Sequence, residues 1–165
     1  MSDDLIIWTE DDPTGSWTWQ CGDQGGVVRH VGEKAELAGL SARAAHVIIP
    51  GQSVRMFQHE LPAMRDKERR SAAGYAVEDK IAAPLDTQHV ALGRDEDMRI
   101  GVISRDRLDK MQAAFREARL HVDGVFADYD VLPETGRTIG LEDRIIHPGR
   151  LGHSLDPSWG VPEEA

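Results

Sequence analysis

Cysteine is almost absent. Cys21 stands alone among 165 residues, so no disulfide can form within the chain, which suits a reducing compartment. No activating histidine or helix start lies beside it, so it reads as a small apolar filler of a strand rather than a reactive thiol. Positive charge is also scarce: 19 lysines and arginines face 29 aspartates and glutamates, for a net charge of −10. So acidic a surface repels phosphate backbones, and no nucleic-acid partner is expected. No apolar run approaches the roughly 20 residues that cross a bilayer. Met1-Ser2-Asp3-Asp4 has neither the basic region nor the apolar core of a signal peptide. The chain as given therefore reads as soluble and cytoplasmic in type. Its 40% of hydrophobic residues suffices for one core or two small lobes.

Motifs that carry chemistry are missing as well. Gly25-Gly26 and the glycines of 149–152 show neither the Gly-x-Gly-x-x-Gly pattern nor a phosphate-loop lysine. Ser16, Ser53 and Ser71 are not in nucleophile elbows. His147 and His153 bracket a five-residue turn rather than sharing a helix face, and with one cysteine no zinc site is expected. Glu78 and Asp79 are adjacent and so point apart on a helix. Asp128 and Asp130 flank Tyr129 without a third acid and read as turn formers. No catalytic, cofactor-binding or metal-ligating set is assigned, and no cofactor is expected.

What is present is a clear order of elements. Leu5–Thr9 is a short apolar run. Trp17, Trp19 and Cys21 alternate with polar residues in a half-buried strand over Ser16–Cys21. A turn over 22–26 leads to a third strand, Val27–Val31, completing an antiparallel meander. Glu33–Leu40 is a short helix, and Ala45–Ile49 a continuous apolar run, as in a strand covered on both faces. Gln52–Leu61 continues extended. Arg65–Ala82 is a helix stopped by Pro84. Gln88–Leu92 and Arg99–Ser104 are strands around an acidic turn at 95–97. Ser104 is the expected N-cap of a helix over Arg105–Leu120, whose Leu108, Met111, Phe115 and Ala118 form one apolar stripe. Val122–Ala127 is a strand. Short strands follow at Thr138–Leu141, Arg144–His147 and His153–Asp156, then a loose tail.

Three antiparallel strands, a helix and a buried strand are the order of half an actin-like or ribonuclease-H-like domain, a mixed α/β fold whose crossover returns a strand parallel to the first. The expected division is a first lobe over 1–51 plus 121–133, an inserted strand–helix–strand–strand–helix module over 52–120, and, over 134–165, the start of an incomplete second lobe with its tail. An ATPase on this fold would bind phosphate in the turn after the first strand. Here that turn is Thr9–Ser16. Its acids Glu10, Asp11 and Asp12 oppose an anion, and Pro13 removes one N–H. An aspartate-proline turn is the simpler reading.

From Val47 to Gly93 the chain carries Pro50-Gly51, Leu61-Pro62, then Tyr75 to Ile81, then Gln88 to Gly93, with Asp128 to Pro133 further on. In this order and spacing the segments resemble the cytoplasmic part of type II secretion system protein L (GspL). The resemblance implies an actin-like fold with an inserted module and a scaffold rather than an enzyme. It also implies a place in the inner-membrane platform, where the family recruits the secretion ATPase (GspE). A membrane anchor would follow in a longer parent protein, and a homodimer is a further expectation. For the partner surface, the cations Arg65, Lys67, Arg69 and Arg70 stand out, because positive charge at a helix start opposes the helix dipole. The outer face of the Arg105–Arg119 helix and an edge strand of the module are others. The alternative function is an actin-like nucleotide-binding protein of pilus assembly or cell division.

Overall fold

The computed structural model describes residues 4–40, 45–62, 64–93, 98–133, 136–141, 144–148 and 153–155. The acidic turn at 95–97 and the tail beyond 156 lie outside them. Strands β1 (Leu5–Thr9), β2 (Trp17–Cys21) and β3 (Gln24–Val28) form the antiparallel meander. The second turn is tighter than the glycines suggest. Gly22 alone takes the left-handed conformation, at φ +56°, and Gly25 and Gly26 pair within β3. The expected third strand is thus displaced three residues towards the N-terminus.

Helix α1 (Val31–Glu36) starts where the backbone N–H groups of Arg29 and His30 reach Glu33 Oε2, at 3.0 and 3.2 Å. It tightens into a 3₁₀ turn over Leu37–Gly39. Strand β4 (Ala45–Ile49) then runs parallel to β1 on the side away from β2. Strand β8 (Val122–Ala127) runs parallel to β4 at the edge. The sheet order is β3-β2-β1-β4-β8.

Between β4 and β8 the chain makes a second, antiparallel sheet. Strands β5 (Val54–Gln58), β6 (Gln88–Leu92) and β7 (Arg99–Ser104) lie in the order β5-β7-β6. Helix α2 (Asp66–Glu78) covers one face, burying Ala73 and Val77 against Ile100 and Val102. The helix stops four residues short of its expected end at Ala82, and a 3₁₀ turn over Leu85–Thr87 leads into β6.

Helix α3 (Arg105–Glu117) follows β7 without a loop. Its stripe is core: Met111, Phe115 and Ala118 are buried with Leu5, Ile7, Trp17, Val47 and Ile49, each large apolar side chain contributing roughly 1.5–3 kcal/mol relative to exposure. The Trp17 and Phe115 ring centroids are 5.7 Å apart. Leu37, just after α1, joins the same cluster, so both crossovers cover one face of the large sheet. In sequence α3 closes the inserted module, yet its buried side packs on residues of the first lobe. Ser104 stands at its N-cap position but makes no side-chain cap bond. The other face of the large sheet carries Ile6, His46, Ile48 and Phe126 along an open groove of about 670 Å³.

A third sheet, β11-β10-β9, gathers β9 (Ile139–Gly140), β10 (Ile145–His147) and β11 (His153–Leu155). Ile146 of β10 is buried with Ala127 and Tyr129, closing the end of β8.

Candidate functional site

The turn after β1 occupies the place where this fold would receive a phosphate. Asp12 organises it: its Oδ1 accepts from the Thr14 N–H and hydroxyl at 2.9 and 2.8 Å, and its carbonyl accepts from Gly15 N–H at 3.0 Å. Pro13 therefore sits at the second position of a β-turn, where its fixed φ fits. The Pro13 carbonyl accepts from Trp17 Nε1 at 2.9 Å. From below, the buried Lys34 sends Nζ to the carbonyls of Thr14 and Gly15, at 2.8 and 2.5 Å, and lies 4.4 Å from the centre of the Trp17 ring. Burial pulls the Lys34 pKa below its ordinary value, against the opposing pull of Asp12, Glu10 and Glu117.

Asp11 faces the second half of the fold. Its carboxylate accepts from Arg107 Nη2 at 2.6 Å, Ser53 Oγ at 3.2 Å and Gln52 Nε2 at 3.4 Å, and Arg107 also bonds its carbonyl. Partial burial would raise the Asp11 pKa, but the Arg107 charge and the bonds from Gln52, Arg107 and Ser53 outweigh it, and the net shift is downward. The Asp11 carboxylate and the Thr14 and Gly15 carbonyls of this turn are thus engaged by the protein's own side chains. Among the described residues no group of three or more metal-binding side chains occurs.

A second constellation joins β8 to the third sheet. Asp128 is buried and accepts from Arg144 Nε at 2.8 Å; Asp130 accepts from Arg99 Nη1 at 2.8 Å. Between them Tyr129 is 1% exposed and donates to the Val54 carbonyl at 3.2 Å. Burial, aided by the two flanking carboxylates, pushes its phenol far above the usual range. The aspartates read from sequence as turn formers do end a strand in a 3₁₀ turn, Asp128–Val131. Their arginine partners, 16 and 31 residues away, carry no local signal.

The four cations at the start of α2 differ in their surroundings. Arg65 sits at the N-cap, its N–H 3.4 Å from Glu68 Oε2. Arg69 is half-buried, while Lys67 and Arg70 are exposed. Arg70 lines a groove that Arg105 also borders. Cys21 is half-buried against the main core, with Sγ 3.5 Å from the Leu40 carbonyl.

The family model "Type II secretion system (T2SS), protein L" matches residues 5–144. The chain belongs to that family. Its fold is similar to the cytoplasmic domain of EpsL, an inner membrane component of the type II secretion system of Vibrio cholerae. The TM-score is 0.69 at 17% identity, over 94% of this chain and 72% of that one. It is also similar to a chain of the PilM–PilN type IV pilus biogenesis complex, with a TM-score of 0.51 at 12% identity, over 76% of this chain and 47% of that one. Nothing matches among curated proteins. The mixed α/β fold is therefore the actin-like one of the family. No helix among the described residues is long and apolar enough to cross a membrane.

Proposed function

We propose that this chain is a non-enzymatic scaffold of the type II secretion inner-membrane platform, a cytoplasmic domain that docks the secretion ATPase (GspE) and neighbouring platform proteins. The family match supports the machine, and the fold shared with the cytoplasmic domain of an inner-membrane component supports the cytoplasmic side. The observation that carries the non-catalytic reading is the turn Thr9–Ser16. Asp12 takes the Thr14 and Gly15 N–H groups that a bound phosphate would need, and Arg107 and Ser53 take the Asp11 carboxylate that its metal would need. A scaffold contributes surface instead, and a standard interface would bury about 1,600 Å² in total. Within this reading the module of 52–120 presents that surface, with Arg65, Lys67, Arg69 and Arg70 at its helix start, and residues from 134 begin a second lobe.

Capture of the purified secretion ATPase on the immobilised chain tests the docking. Retention at micromolar concentrations is expected; its absence with both proteins folded overturns the reading. Melting with Mg-ATP separates the alternative, an actin-like nucleotide-binding protein. A binder gains about 2.7 kcal/mol at a hundredfold excess of ligand over its dissociation constant, whereas the scaffold's melting temperature should not move.

A further inference from the structure

Helix α2, the start of β6 and the start of α3 enclose a groove of about 350 Å³ that opens to solvent. Arg70, Ser71 and Tyr75 border it from α2, Gln88 and His89 from β6, and Arg105 from α3. Gly74 and Leu85 also line it, packed so closely that a Cβ at residue 74 would stand 3.3 Å from Leu85 Cδ2.

The electrostatics run against the rest of the molecule. In a chain of net charge −10, two guanidinium groups converge here, and neither has an ion-pair partner among the described residues. Asp106, beside Arg105, is taken by Lys110 at 2.8 Å. The convergence also registers on His89, whose pKa is lowered by burial and then by the charges of Arg105 and Arg70, with no opposing carboxylate. At the rim Tyr75 is 71% exposed, an unusual position for so large an aromatic surface.

Arginine forks match carboxylates in bidentate geometry, and arginine with tyrosine is the composition of interface hot spots. An enclosed pocket would bury most of a small ligand; an open trough suits a length of chain. We propose that this groove docks an acidic segment of a partner protein, carboxylates on Arg70 and Arg105 and an apolar side chain against Tyr75. The inference deepens the docking reading above by giving it a ligand chemistry.

The test uses the full chain and a short fluorescent peptide in which glutamates alternate with leucine and phenylalanine, read by anisotropy. The peptide should bind, and its glutamine counterpart should not. Arg70→Glu with Arg105→Glu should weaken binding at least about tenfold, and Tyr75→Ala about fivefold. Lys80→Glu, the same charge reversal made once and beyond the helix end, should stay within about twofold. All four positions are exposed, so melting temperatures should hold; if charge reversal unfolds the chain, the Arg70→Gln, Arg105→Gln pair is read instead. Equal binding of the glutamine peptide, or undiminished binding by the double variant, overturns the proposal. So does capture by phosphatidylglycerol vesicles without peptide binding, which points to lipid. Self-association lost in the double variant, again without peptide binding, overturns it in favour of a second copy. Secretion ATPase retained equally by the double variant removes the groove and leaves the scaffold reading. Peptide binding without ATPase capture does the reverse.

Discussion

The backbone of Gly51 lies against the ring of Tyr129. A Cβ at residue 51 would stand 2.3 Å from the Cδ1 and Cε1 ring carbons and 2.5 Å from Asp128 Oδ1. Pro50-Gly51, a punctuation mark in the sequence, is thus the place where the chain leaving β4 meets the turn leaving β8.

Gly51→Ala should therefore destabilise the fold by about 2–3 kcal/mol through overpacking. Both the ring and the carboxylate are buried and have no room to withdraw. Urea unfolding followed by tryptophan fluorescence measures it, with the midpoint falling and the slope unchanged.

Removing Arg144 would take a guanidinium from a buried carboxylate. The side chains of the pair are 12% and 5% exposed for Arg144 and Asp128. Arg144→Ala should cost roughly 3 kcal/mol, and adding Asp128→Asn should recover part of it, because a buried charge is gone. Chemical denaturation of the two single variants and the double variant gives the coupling.

Tyr129 makes the fold sensitive to alkali. Its folded pKa is raised by burial and by Asp130 and Asp128, so in the unfolded chain the phenol ionises first, near pH 10. Its stabilising contribution is complete below that value and declines above it. Tyr129→Phe should flatten the loss of stability above pH 10, at the cost of the bond to Val54. Melting temperature across pH 8–11 for both proteins checks this.

Asp11 acts at the acid end. Its pKa is lowered despite partial burial, chiefly through Arg107. Its contribution is present above the ordinary carboxylate value of 3.8 and disappears as pH falls through the lowered one. The carboxylate is 60% exposed, so solvent screening keeps the effect below about 1 kcal/mol. Arg107→Ala should shift the acid-unfolding midpoint upward by a small amount, read by circular dichroism.

The order of elements was legible because period and punctuation are local. Ala45–Ile49 and Val122–Ala127 are strands with the expected bounds, and the stripe through Met111 and Phe115 is core. The extent of the turn at 22–26 was not legible because consecutive glycines look like a loop, whereas the ladder with β2 tolerates Gly25 and Gly26 opposite Gln20 and Trp19. The ion pairs were not legible. Arg107 finds Asp11 across 96 residues, and Arg99 finds Asp130 across 31, and nothing in either neighbourhood marks the partner. The groove was equally hidden: Arg70 and Arg105 border it from two helices 35 residues apart in sequence, and nothing local to either marks the other.

Ser104 ends β7 and Arg105 begins α3 with no residue between them. A strand welded to a helix in this way has no slack. Any displacement of the smaller sheet would be carried along α3 and arrive at Met111 and Phe115, in the heart of the larger one, rather than being lost in a flexible hinge.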